Sequence, residues 1–282
     1  MDIADFPSIT LNDGQALPAI GFGTYPLSGR DGCHAVVTAL RQGYRLIDSA
    51  QNYDNEATVG EAIRRSGVPR EEIAVTTKLA GRHHRADLAR RAIAESLWRF
   101  GLDRLDLLLI HWPNPRRGLY VEAWQALVEA KREGLVRSIG VSNFTEEHLA
   151  RLIEATGVVP AVNQVELHPY LPQADLRAAH ARLGIVTEAW SPLGRLLIPQ
   201  DAEPIAAAAR RLNVSFQQVI LRWHVQLGVI ALPKAADPDR QRANLDVFNF
   251  ELEEAEMAAI SALADGAGVR VFGFHPDEHE EL

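Results

Sequence analysis

The chain has 282 residues, 47% hydrophobic and 23% charged, with a net charge of −8. That is ordinary globular composition, with length for one or two domains and a full core. The acidic balance excludes nonspecific attraction to nucleic acid or to an anionic membrane, while leaving room for a local basic site for a small phosphate.

The first pattern along the chain is ITLNDGQALPAIG, which predicts a β-hairpin turning at Asp13-Gly14. From there short apolar runs alternate with longer amphipathic ones. AIGFGT precedes the helical pattern HAVVTALRQG, RLIDSA precedes EATVGEAIRRSG, and IAVTTKL precedes ADLARRAIAESLWRFG. LDLLLIHW is followed by YVEAWQALVEAKREG, VRSIGVSN by EEHLARLIEATG, and AVNQVEL by ADLRAAHARLG. IVTEAW leads into one long helical pattern, EPIAAAARRLNVSFQQVILRWHVQLG, and VIALPK is the eighth strand candidate. After it, Asp237 suits a helix N-cap and Pro238 the first helical position. Several helical patterns end on glycine, the expected C-cap. Strict alternation implies parallel βαβ units, and near-continuous apolar strands agree with a sheet covered on both faces.

Eight such units close into a (β/α)8 barrel. An open doubly wound sheet would carry a glycine-rich phosphate turn after its first strand, and GFGTYP offers two glycines, no third, and then a proline. The expected architecture is a single α/β barrel domain over residues 1–282, with an N-terminal β-hairpin and a short C-terminal tail. The single cysteine, Cys33, excludes an internal disulfide and fits a reducing compartment. The polar start MDIADFPSITLNDG has no secretory pattern, and no run of about 20 apolar residues occurs. A soluble cytoplasmic protein is expected.

In such a barrel the chemistry sits at the C-terminal strand ends. RLIDSA ends near Asp48, IAVTTKL carries Lys78, and LDLLLIHW carries His111. Period-two alternation lets these three converge at one mouth, with Tyr53 folding back from the loop after the second strand. A phenol normally titrates near about 10, so a nearby ammonium that stabilises phenolate would help it release a proton. Lys78 can be that ammonium, and Asp48 would keep it charged. Taken singly, each residue has a plain structural reading: turn, snorkelling lysine, core histidine, half-buried ring. Together they read as a proton donor for a carbonyl, with no metal and no covalent nucleophile.

These same residues carry a resemblance. LIDSAQNYDNEATVGEAI, LLLIHWP, GVSNF, VNQVELHPY and LPKAADPDRQRANLDVF resemble, in order, five motifs of the aldo-keto reductase family. The match runs from about residue 8 to about residue 276. Within that family, EAWSPLG, LDVFNFEL and the tail with HPDE are similar to the bacterial 2,5-diketo-D-gluconate reductase-like members. The resemblance implies Tyr53 as general acid, Asp48 and Lys78 as its tuning pair, and His111 orienting the carbonyl. It implies NADPH/NADP+ as cofactor, with NADH a weaker alternative. Ser142, Asn143 and Gln164 would hold the nicotinamide carboxamide, with Asp48 also near the cofactor, and Trp190 would stack on the ring. Gly23 and Thr24 would approach the ribose, Ser191, Leu193 and Gly194 the pyrophosphate, and Lys234, Arg240 and Asn244 the adenosine end. Phe22 and Trp112, with Tyr53 and His111, would wall the substrate pocket. Val271 and Phe272 of the tail would touch substrate. The substrates implied are aldehydes and ketones, including α-dicarbonyls and keto-sugars such as 2,5-diketo-gluconate. A monomer is expected, without nucleic-acid or membrane partners.

Three departures bear on the cofactor. The glutamate frequent in the family near the position of Ala243, which contacts adenine, is absent. Ala235 lacks the hydroxyl the family often has there, and Asp237 adds a negative charge near the 2′-phosphate. NADPH preference is therefore expected to be narrower than usual. His83-His84-Arg85 reads as a solvated loop and not as metal ligands, since adjacent histidines point apart. Arg116 and Arg117 read as solvated charge, and His275 and His279 as surface residues. Cys33 reads as structural, and Trp98, Trp124 and Trp223 as core. Two other classes fit the pattern less well. A non-catalytic NADPH-binding sensor or regulatory subunit would have no need of a proton donor. A metal-dependent barrel hydrolase lacks a ligand set.

Overall fold

In the computed structural model the described residues are 6–195, 197–264 and 268–281. Strands β1 (Ser8–Thr10) and β2 (Ala16–Pro18) form the antiparallel hairpin. Gly14 sits in its turn at φ 85°, a conformation that glycine adopts without steric cost. Eight parallel strands follow: β3 (Phe22–Gly23), β4 (Leu46–Asp48), β5 (Ala74–Leu79), β6 (Leu105–Ile110), β7 (Val136–Ser142), β8 (Val162–Glu166), β9 (Val186–Trp190) and β10 (Ile230–Ala231). Each pairs with its neighbours in chain order. Ile20 bridges Ala231 in parallel, and Gly21 N donates to Ala231 O at 2.9 Å, so the last strand meets the first.

Among the described residues, ten α-helices surround the strands: α1 (Gly29–Gln42), α2 (Glu56–Ser66), α3 (Ala86–Phe100), α4 (Tyr120–Arg132), α5 (Glu146–Thr156), α6 (Ala174–Leu183), α7 (Glu203–Leu212), α8 (Phe216–Gln226), α9 (Pro238–Leu245) and α10 (Glu254–Ser261). None of the helices among the described residues is long and apolar enough to cross a membrane. Inside the ring, Leu46, Leu107, Leu109, Val162 and Ile230 pack with Leu11 and Leu17 of the hairpin region. The hairpin thus closes the N-terminal end of the barrel and leaves the C-terminal end for function.

Four readings are corrected. The long pattern after β9 is two helices. Asn213 takes a left-handed φ of 54°, and Ser215 then caps α8, its Oγ accepting from Gln218 N at 3.2 Å. The stretch LNVSFQQ carries that cap-box signal within an otherwise helical pattern. Trp98 is not core but 83% exposed, because α3 buries Ala89, Ala92, Ile93 and Leu97 on the opposite face. Trp124 and Trp223 are fully buried. His84 is buried and not solvated, and burial pushes its imidazole down to about 4. His279 is half-buried, ring to ring with Phe274 and Trp112.

Candidate active site

The strand ends converge as alternation requires. Lys78 Nζ, wholly buried, donates to Asp48 Oδ1 at 2.8 Å, to Asp48 Oδ2 at 2.7 Å and to Ser49 O at 2.9 Å. Its remaining near neighbour is the Tyr53 hydroxyl at 3.3 Å. Tyr53 closes a single 3-10 turn (Gln51–Tyr53) whose placement is set by Gln51. That side chain donates to Ala92 O and Ser96 Oγ and accepts from Ala80 N at 3.0 Å, tying the turn to α3 and β5. The Tyr53 and His111 rings meet edge to face, 5.7 Å apart.

Electrostatics corrects one expectation. Burial pushes the Tyr53 phenol above its ordinary value, and the opposing pull of Lys78 does not cancel it. The phenol therefore holds its proton more firmly than in water. Burial also works against the Lys78 charge, but Asp48 and Tyr53 outweigh it and hold the ammonium above its usual range. The arrangement is a protonated phenol beside a fixed cation.

A cavity of about 1590 Å³ runs from this group across the mouth. Asp48, Tyr53, His111 and Trp112 line one end, and Lys234, Arg240 and Asn244 line it as well. Gly23, Thr24, Asn143, Gln164, Trp190, Ser191 and Leu193 also lie on its wall. Asn143 Oδ1 accepts from Trp190 Nε1 at 2.8 Å, while its Nδ2 donates to His111 O at 3.0 Å. Gln164 Nε2 donates to Asp48 Oδ1 at 2.8 Å and to Glu188 Oε2 at 2.9 Å, which leaves its carbonyl oxygen as the free acceptor. Ser142 lies behind these two, its Oγ donating to Gln164 O at 2.8 Å. Gly194 is likewise off the wall, at φ 61° in a turn where a Cβ would collide with Ile198.

At the far end Asp237 caps α9, its Oδ1 accepting from Arg240 N at 2.9 Å. Lys234 and Arg240 are exposed, and their side chains form no ion pair among the described residues. Two unpaired cations beside a helix N-terminus fit a phosphate. An amide pair, an indole face and this cationic end fit an extended pyridine dinucleotide.

Phe22 is a correction. Its ring is fully buried, 5.3 Å from Tyr44, because alternation on β3 turns Gly23 to the cavity and Phe22 into the shell. Tyr25, two residues past β3, forms the wall instead, 5.1 Å from the Tyr53 ring. Residues 268–281 form a strap across the mouth. Phe272 stacks on Trp190 at 6.2 Å and on Phe274 at 5.8 Å, and Arg195 lies 4.5 Å over the Phe272 ring. Val271, Phe272 and Phe274 line the cavity. Sequence reasoning missed Tyr25, Arg195, Phe274, Glu188 and Glu281. A glutamate inside the apolar run IVTEAW was the one local signal among them.

The pattern of the aldo/keto reductase family matches residues 19–265. The chain belongs to the aldo/keto reductase family. The reductase is 52% identical over 281 residues to 2,5-diketo-D-gluconic acid reductase B of Corynebacterium sp. (strain SHS752001), covering 99% of both chains. It is 46% identical to morphine 6-dehydrogenase of Pseudomonas putida, over 94% of this chain and 93% of that one. Among solved structures, a Gox0644 variant in complex with NADPH superposes with a TM-score of 0.92 at 41% identity, over 97% and 98% of the two chains. An aldo/keto reductase from Brucella melitensis gives 0.88 at 43% identity, over 92% of the reductase and 99% of that chain.

Proposed function

We propose that the reductase reduces aldehydes and ketones to alcohols with NADPH, protonating the product oxygen from Tyr53. The observation that carries this reading is the Tyr53 hydroxyl on the cavity wall, 3.3 Å from a buried ammonium and beside His111. NADPH, when bound, supplies the hydride. Trp190 offers a ring face to the nicotinamide, and the free acceptor of Gln164 suits the carboxamide amine. His111 hydrogen-bonds the carbonyl oxygen and holds it near Tyr53. As negative charge gathers on that oxygen, Tyr53 gives up its proton, and Lys78 stabilises the phenolate left behind. Asp48 keeps Lys78 charged throughout. Alcohol oxidation runs through the same groups in reverse.

Lys234 and Arg240 favour the 2′-phosphate of NADPH over NADH. The Asp237 carboxylate is partly engaged as the helix cap, which narrows that preference without reversing it. For the substrate, the names of the relatives suggest keto-sugars and polycyclic alcohols, and Tyr25, Trp112, Phe272 and Phe274 make an aromatic wall that suits α-dicarbonyls and aryl aldehydes. Arg195 supplies a positive charge that a keto-acid could reach. The reading extends to a monomer, since one chain supplies every side chain of the site, and to the cytoplasm, where NADPH is made. Monitoring NADPH oxidation across aldehydes, α-dicarbonyls and keto-sugars tests it. Turnover on at least one class is expected, and tight NADPH binding without turnover on any of them would sink it.

A further inference from the structure

We propose that Glu281 is a positioning residue of the active site, whose carboxylate backs His111 and holds the ring with Nε2 toward the substrate oxygen. The inference rests on the carbonyl-reductase reading above. Glu281 Oε1 lies 2.6 Å from His111 Nδ1, with side-chain exposures of only 10% and 12%. The carboxylate is held on its other edges too. Oε1 accepts from Asn52 Nδ2 at 2.7 Å, and Oε2 accepts from Gly81 N at 2.9 Å. The backbone of Glu281 is clamped by one side chain: its N donates to Asn114 Oδ1 at 3.0 Å, and its O accepts from Asn114 Nδ2 at 2.6 Å.

The socket is built from the loops that carry the chemistry. Asn52 adjoins Tyr53 after β4, Gly81 follows Lys78 after β5, and His111 and Asn114 follow β6. Gly81 is what makes room: a Cβ there would run into the Asn114 amide and come within 2.5 Å of Glu281 O. Burial pushes the Glu281 carboxyl up, but His111, the Gly81 N–H and the Asn52 amide together hold it below the usual carboxylate range. It is an anion at neutral pH.

Two roles are open to a carboxylate on a catalytic imidazole: plugging the substrate position or supporting the ring from behind. The cavity wall decides between them. His111 lines the cavity, whereas Glu281, Asn52, Gly81 and Asn114 do not. The carboxylate therefore stands behind the ring. A carbonyl oxygen only accepts, so Nε2 is the nitrogen that must donate to it, and the carboxylate behind the ring keeps that nitrogen turned toward the cavity.

The test compares the wild type with Glu281→Gln, Glu281→Ala and a chain ending at residue 280. Melting temperature and NADPH affinity by fluorescence quenching should stay close to wild type, while kcat for an aldehyde falls about tenfold, part of what a positioned proton-transfer group contributes. Acetate added to Glu281→Ala should restore turnover in proportion to its concentration. Independently of activity, nitrogen-15 NMR of the imidazoles should find the His111 Nδ1 resonance moved in Glu281→Ala and those of the other histidines in place. Unchanged kcat and an unmoved His111 resonance would overturn the proposal, and a higher kcat would replace it with a plug. A parallel fall in melting temperature and NADPH binding without acetate rescue would reduce Glu281 to a fold contact. A wild type that turns over no carbonyl, with the His111 Nδ1 resonance nonetheless moved in Glu281→Ala, would instead fault the reductase reading and leave the ring contact standing.

Discussion

Tyr53 can act as an acid only if it still holds its proton when negative charge reaches the substrate oxygen, and burial provides for that. The phenol is raised above its ordinary value of about 10, so it stays protonated through the neutral range. Lys78 matters afterwards, when the phenolate has to be stabilised. Tyr53→Phe should therefore cut carbonyl reduction by at least about 100-fold, the low end of what a general acid contributes, with NADPH binding nearly unchanged. The pH dependence has a definite sign. Reduction needs the phenol and should stay flat from neutral into alkaline solution, whereas alcohol oxidation needs phenolate and should climb as pH rises. Opposite slopes in steady-state kinetics would contradict the assignment. Glu188 gives a second prediction. It is fully buried, its Oε1 has no hydrogen-bond partner among the described residues, and burial raises its carboxyl from 4.5 to about 7. A raised carboxyl favours the folded state while protonated, so that contribution is complete below about 4.5 and gone above about 7. Across that window the wild type should lose up to about 3 kcal/mol relative to Glu188→Gln in urea denaturation. Parallel pH profiles would rule this out.

At the scale of elements, α9 joins a cap and a binding site in one residue. Asp237 satisfies Arg240 N but stands beside the two cations that suit a phosphate. Asp237→Ser keeps an accepting oxygen at the cap and removes the charge. KM for NADPH should fall about two- to fivefold, from roughly 0.5–1 kcal/mol of relieved repulsion at a solvated distance, with KM for NADH unmoved. An equal change for both cofactors would place the effect in the cap and not in the phosphate. This helix was readable before folding, because an Asp-Pro pair after a strand is a start signal. The strands were readable for a related reason: period two assigns each side chain a face, so Asp48, Lys78 and His111 had to converge if the ring closed. The failures were local ones. The strand face fixes Phe22 outward, into the shell, once Gly23 is known to face the cavity, and a two-residue strand is too short to reveal which. Trp98 lies one position off the apolar stripe of α3, and a large ring outweighed its phase in the pattern.

For the molecule as a whole, the barrel supplies the reaction and the strap sets what may enter. The strap crosses the mouth between two fixed ends. At one, Val269 N donates to Tyr170 O at 2.9 Å and Val271 N donates to the buried Glu166 carboxylate. At the other, Glu280 and Glu281 seat on Arg116, Asn114 and Gly81. Between them Phe272, Phe274 and His279 continue the ring series from Trp190 to Trp112. No sequence period predicts such a segment, since its partners lie on distant parts of the chain and its conformation follows from theirs. Because both ends are held by other groups, the two phenylalanines can be shortened without releasing the strap. Phe272→Ala and Phe274→Ala should each lower kcat/KM for an aryl aldehyde about fivefold, the ~1 kcal/mol of one ring contact, and leave a two-carbon aldehyde within about twofold. The ratio of the two substrates is the measurement. If both fall together, the rings are supporting the catalytic end and selecting nothing, and the choice of substrate must lie on the barrel's own wall at Tyr25 and Trp112.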